Sequence, residues 1–140
     1  MNKVNLDAMP TLFAALHKKM MDNHQRILSE YGLTKIHSPY LMILNDHKDG
    51  LTQREMIDAL FLDKAHASRA LRDLLSMSMI KRDDETMYKN KYYLLDRGQE
   101  VVTALKKDSL QLRMKVLESM TEEEIMMFRK LTEKIIKILE

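Results

Sequence analysis

Between Leu51 and Asp96 two short helical patterns meet at a two-residue corner, and a pair of basic, strand-like runs follows directly. Thr52-Gln53-Arg54-Glu55 has capping-box spacing: the hydroxyl can accept from the third helical N–H while the Glu reaches back to the cap. Met56, Ile57 and Leu60 then recur at helical spacing and predict one apolar face. Leu62-Asp63 leaves room only for a sharp helix–helix turn, with Asp63 suited to cap the next helix, Lys64–Ser78.

That second helix has two unlike faces. At about 100° per residue, Ala67, Ala70, Leu71, Leu74 and Leu75 gather on one side. Ala65, Arg69, Arg72 and Ser76 fall opposite, with His66 and Ser68 at the margins. Small residues beside long cations let a backbone approach a groove while guanidinium groups reach phosphates or guanine edges. Exposed arginines are also what an ordinary solvated helix shows, so this face alone does not decide.

The next segment adds weight. Ile80–Asp83 reads as a strand entering a turn, and Lys91–Leu95 as its return. Asp84–Asn90 between them is polar, and Asp96-Arg97-Gly98-Gln99 restarts a helix with a second capping-type spacing. Helix, turn, helix, hairpin, helix is the order of a winged helix-turn-helix, a device that seats one helix in the major groove of DNA. The charge is focused to match. The chain carries only +2 overall, but from Lys64 to Arg82 five cations (Lys64, Arg69, Arg72, Lys81, Arg82) face one anion, Asp73. Binding through such a patch has a moderate salt dependence.

These residues resemble the MarR family of bacterial and archaeal transcriptional regulators. Gly50–Glu55, Asp63–Leu74, Ile80–Arg82 and Leu95–Gly98 match the family's Gly-Leu-Thr-Gln-x-Glu-Leu, Asp-Lys-x-x-x-Ser-Arg-x-Leu-x-x-Leu, Ile-x-Arg and Leu-Thr-x-x-Gly segments, and the resemblance extends over nearly the whole chain. Asp96 replaces the usual Thr and still suits a cap. The wing tip departs further: Met87-Tyr88-Lys89 stands where the family carries Asp-x-Arg or Asp-Lys-Arg. Lys89 keeps a cation but lacks arginine's planar fork. The implied roles are DNA reading by Lys64, Ala65, His66, Ser68, Arg69 and Arg72, and wing contacts by Arg82, Lys89 and Lys91. The resemblance also implies a small-molecule effector pocket where the dimerising and DNA-binding parts meet. His17, Tyr40 and Met42 are its candidates by position.

The flanking helices point to a dimer. Leu6–Glu30 repeats Met9, Leu12, Phe13, Leu16, Met20 and Ile27; Gly98–Met120 repeats Val101, Val102, Leu105, Leu112 and Val116. After the Thr121-Glu122-Glu123-Glu124 cap, a last helix carries Ile125, Phe128, Leu131, Ile135, Ile136, Ile138 and Leu139. It is apolar around more of its circumference than a small unit can cover, so a symmetric partner is expected to bury it. In the resembling family the first and last helices intertwine across a two-fold axis. Leu12, Phe13, Leu16, Ile125, Phe128, Leu131, Ile135 and Leu139 are the corresponding dimerisation candidates. Two recognition helices related in this way demand an inverted-repeat site with half-sites about one DNA turn apart.

The expected fold is therefore mainly α, with six helices and a small β-hairpin wing. A single domain over 1–140 is expected, with the winged helix at 33–96 and helical dimerisation parts at 1–32 and 97–140. Pro10 and Pro39 fall near helix starts. The second helix begins either at Ser38-Pro39 or near Thr34 with a kink. No apolar run reaches membrane-span length and the start is not a secretory signal, so a cytoplasmic protein is expected.

The absence of cysteine removes thiol redox sensing and thiolate zinc sites. The five histidines (His17, His24, His37, His47, His66) show no HxxxH or HExxH spacing and read as surface groups, so no metal or cofactor is expected. Thirteen methionines suit a helical core better than a deformable ligand pocket. With no glycine-rich phosphate loop, nucleophile elbow or cysteine nucleophile, no catalytic residue is expected. Two readings remain: a homodimeric, sequence-specific DNA-binding transcriptional repressor answering to a small molecule, or a winged-helix protein–protein module. The second has no need of a cationic outer helix face.

Overall fold

The computed structural model describes residues 7–83 and 90–140. In chain order these form α1 (Ala8–Glu30), α2 (Ser38–Asp46), β1 (Leu51–Thr52), α3 (Gln53–Leu60), α4 (Lys64–Ser76), β2 (Ile80–Arg82), β3 (Lys91–Leu94), α5 (Asp96–Glu118) and α6 (Glu122–Leu139). Six helices and a small sheet among the described residues agree with the expected fold class. The chain packs as two units, one ending at Lys106 and one running from Lys107 to Glu140.

Three corners use the same backbone device. After α1, Gly32 turns left-handed (φ 73°), and the N–H groups of Gly32 and Leu33 donate to the Ser29 and Leu28 carbonyls. After α4, Ser78 (φ 56°) and Met79 donate in the same way to Leu75 and Leu74. At the α3–α4 corner Phe61 (φ 54°) takes the left-handed place, and the N–H groups of Phe61 and Leu62 both donate to Ile57 O. Each turn satisfies helix-end carbonyls that would otherwise lack donors. It also explains two shifted boundaries. The corner is Phe61–Asp63 rather than Leu62-Asp63, and α4 stops at Ser76 rather than Ser78.

Other boundaries moved for local reasons. α2 starts at Ser38 with His37 as its cap residue and Pro39 in the first turn, where its missing N–H costs nothing. Asp96 lies inside the first turn of α5, and Gln99 donates to Leu95 O. The Thr52 hydroxyl accepts from Glu55 N at 3.1 Å, but Thr52 also stands in β1 opposite Lys91. Only the hydroxyl half of that capping box forms. Thr121 and Glu124 make both halves, at 3.2 and 2.9 Å.

The sheet has three antiparallel strands in the order β1-β3-β2, one more than the expected hairpin. Leu51 pairs with Tyr92, and Ile80, Lys81 and Arg82 pair with Leu94, Tyr93 and Tyr92. β1 is too short to leave an alternating pattern in sequence. Gly50 feeds it at φ 81°, where a Cβ would lie 2.6 Å from the Tyr93 ring. Gly98 serves packing of another kind. A Cβ there would collide with Met79 O and sit 2.6 Å from Leu94 Cδ1, so its absence lets α5 lie against the wing root.

Beneath the sheet, one core gathers Leu28, Tyr40, Leu41, Leu44, Met56, Leu71, Leu74, Met79, Ile80, Val101, Val102 and Leu105. Ala67 and Ala70 are fully buried, and their small size brings the α4 backbone close to that core. In the second unit, by contrast, α6 has no buried residue.

Candidate nucleic-acid interface

α4 is built from its cap outward. Asp63 Oδ1 accepts from His66 N at 2.7 Å, closing the first turn. Ala67, Ala70, Leu71 and Leu74 then point inward and are buried. With that face committed, the pitch of the helix leaves Lys64, Ala65, Arg69, Arg72 and Ser76 exposed and His66 and Ser68 half-buried. Lys64 occupies the first helical position, where its cation opposes the positive end of the helix dipole. An anion docking there would relieve that conflict.

Buried and half-buried partners hold the margins of this face. Gln53 Nε2 on α3 donates to Ser68 Oγ at 2.9 Å. Tyr40 Oη on α2 bonds His66 Nδ1 at 2.7 Å, their rings tilted by 31° with centroids 5.8 Å apart. At the other end, His37 Nε2 meets Asp73 Oδ2 at 2.9 Å while His37 Nδ1 accepts from Thr34 N at 3.0 Å. Because Nδ1 accepts a backbone N–H, Nε2 must carry the proton and donate to the carboxylate. His37 is 4% exposed, so the expectation of scattered surface histidines fails at this position. A loop histidine that makes two bonds on folding is buried by the gain.

The spacing could have signalled this pinning. His37 and Tyr40 are three apart at the start of α2, and His66 and Asp73 are seven apart on α4, both face-sharing intervals. The signal becomes legible only once α2 and α4 are known to pack.

At the wing, Arg82 is exposed and Lys91 half-exposed; Lys89 and the rest of 84–89 lie outside the described residues. Lys81 rests its ammonium 5.5 Å from the Tyr93 ring centroid, and the Tyr93 hydroxyl donates to Asp83 Oδ2 at 3.0 Å. That bond, then burial, raises the Tyr93 pKa above its ordinary value. Arg82 borders a cleft of about 580 Å³ together with Thr52, Gln53, Arg54, Glu55, Asn90 and Tyr92.

The effector candidates occupy different environments: Tyr40 is wholly buried, Met42 is half-buried against the core, and His17 is exposed. The dimerisation candidates stay open to solvent. Leu12, Phe13 and Leu16 of α1 are exposed, as are Phe128, Leu131, Ile135 and Leu139 of α6, while Ile125 is half-buried. No group of three His, Cys, Asp or Glu able to hold a metal occurs among the described residues. No described helix is long and apolar enough to cross a membrane.

Residues 31–86, the span from the α1–α2 corner into the wing, match the model of the MarR family. No curated protein matches the chain. Among solved structures, MepR, a transcription regulator of the Staphylococcus aureus multidrug efflux pump MepA, is 22% identical with a TM-score of 0.77, over 98% of this chain and 100% of that one. A MarR transcriptional regulator from Methanosarcina mazei Go1 is 17% identical with a TM-score of 0.76, over 97% and 92%. The S. aureus MepR–DNA complex is 22% identical with a TM-score of 0.71, over 93% and 96%.

Proposed function

We propose that this chain, whose winged helix belongs to the MarR family, is a homodimeric, sequence-specific DNA-binding repressor of transcription whose affinity is tuned by a small molecule. The observation that carries the reading is the division of α4. Four residues are buried against the core, and the outward face combines Lys64, Arg69 and Arg72 with small Ala65 and Ser76. Short side chains beside long cations suit a helix entering the major groove. A module that binds another protein does not need this exposed charge.

In this assignment Arg69 and Arg72, with Ala65, His66 and Ser68, read base edges. Lys64, Arg82, Lys89 and Lys91 contact the phosphate backbone. A repressor follows if occupancy of an inverted repeat excludes polymerase. Dimerisation is supported by α6, which carries Phe128, Leu131, Ile135 and Leu139 and buries none of them. The exposed apolar residues of α1 and of α6 in a second copy would supply the missing contacts.

The test is fluorescence anisotropy on a duplex enriched from a random pool by the protein, against a scrambled duplex. Arg69→Ala should weaken the selected duplex by about 1–3 kcal/mol and relax preference at one position. Lys91→Ala should weaken both duplexes evenly and flatten the salt slope by about one. Equal losses from both variants on both duplexes would refute the division of roles. Failure to enrich any duplex would refute DNA binding.

A further inference from the structure

His66 occupies the first turn of α4, and its two ring nitrogens have different fates. Nδ1 lies 2.7 Å from the Tyr40 hydroxyl, whereas Nε2 has no partner among the described residues. Tyr40 is 0% exposed, and His66 Nδ1 is the acceptor its hydroxyl meets among the described residues. Were Nδ1 to carry the proton and donate, the phenol's own proton would be buried without an acceptor, which is unfavourable. The reverse arrangement satisfies both groups: the phenol donates, Nδ1 accepts, and the imidazole proton sits on Nε2 of a half-exposed ring. Burial, and then the charge of Asp63, raise the Tyr40 pKa, which keeps the phenol protonated.

We propose that Tyr40 is a positioning residue: its hydroxyl holds His66 in the Nε2–H tautomer, so that the first turn of α4 offers a neutral donor to a base-edge acceptor in the major groove. The inference rests on the DNA-binding reading and adds a determinant of specificity to it. The amino-terminal residues of a recognition helix are the ones that meet base edges. Guanine O6 and N7, adenine N7 and thymine O4 are the acceptors offered there. An uncharged N–H releases no counterion, so it leaves the salt-dependent attraction to phosphate unchanged. It discriminates only where the facing base edge accepts. Tyr40 therefore acts through His66, from the interior, without touching DNA.

The experiment combines two readouts on wild type, Tyr40→Phe, His66→Ala and the double variant. Long-range ¹⁵N–¹H spectra of the imidazoles, on free protein, report the tautomer. Anisotropy against the selected and scrambled duplexes reports discrimination. Wild type should show His66 as the Nε2–H tautomer, and Tyr40→Phe, which keeps the ring that fills the core, should show a mixture. Tyr40→Phe should lower the preference for the selected duplex about threefold to tenfold, the scale of one neutral hydrogen bond, while binding to the scrambled duplex holds. In the His66→Ala background it should lower that preference no further.

An unchanged tautomer in Tyr40→Phe would overturn the inference. So would an equal loss in the His66→Ala background, which would mark a packing role alone. A wild type with the tautomer in place that prefers neither duplex would overturn the groove role by way of the DNA-binding reading, and the spectrum would tell that failure from the others.

Discussion

Single residues in this chain are placed as much by backbone and proton demands as by hydrophobicity. Phe61 and Ser78 both adopt left-handed φ at helix ends, a conformation that costs a residue with a Cβ about 1–2 kcal/mol. Phe61 also leaves its ring 94% exposed, so no packing offsets the strain. Phe61→Gly and Ser78→Gly should each stabilise the fold by about 1 kcal/mol in urea titrations, with unchanged helix content. A loss of stability in Phe61→Gly would mean that the ring makes contacts its exposure denies. Tyr40 gives a pH signature. Its folded pKa lies above the ordinary 10.0, by burial first and then by Asp63, so the folded state holds that proton more tightly than the unfolded chain. The associated stability is complete below pH 10 and is lost as pH rises through the higher folded value. Melting temperature should therefore fall more steeply above pH 10 in wild type than in Tyr40→Phe. Parallel curves would show that the phenol does not couple to folding.

At the scale of elements, α4 is held by more than its apolar stripe. Tyr40 engages its first turn and His37 its last, both from the start of α2, while Gln53 fixes Ser68 from α3. Such bonds add direction to a hydrophobic contact that is itself non-directional. The wing root depends on a closer fit. Gly98→Ala would drive a methyl into the Met79 carbonyl and the Leu94 side chain, and because one of the two is backbone the helix must shift. A destabilisation of about 1–3 kcal/mol is expected in chemical denaturation, together with weaker wing-dependent binding. A neutral substitution would indicate that α5 can slide along the sheet without cost.

For the molecule as a whole, α6 is the outstanding fact. It begins with a complete capping box and carries Met126, Met127, Phe128, Leu131, Ile136, Ile138 and Leu139, all exposed. An apolar surface of that length is unfavourable in water unless a partner covers it, and the proposed partner is a second copy. Sedimentation should find twice the chain mass, with a melting temperature that rises with protein concentration. Phe128→Glu should shift the population toward monomer and reduce affinity for an inverted repeat more than for a single half-site. A wild-type monomer at micromolar concentration would remove the dimer and the inverted-repeat geometry with it.

Where local chemistry decided the outcome, the chain could be read directly. The cap at Asp63, the box at Thr121–Glu124, the 3.6-residue recurrence in α4 and the β-prone run at Lys91–Leu94 each depend on neighbours a few positions away. The six helices and the wing were legible for that reason, as was the cation-bearing outer face of α4. What periodicity could not supply was set by partners distant in sequence. Tyr92 recruits β1, Met79 and Leu94 demand a glycine in α5, and Asp73 and His66 draw His37 and Tyr40 into the interior. A histidine or tyrosine looks the same in sequence whether water or a carboxylate will satisfy it. Only packing, by excluding the water, makes the partner obligatory.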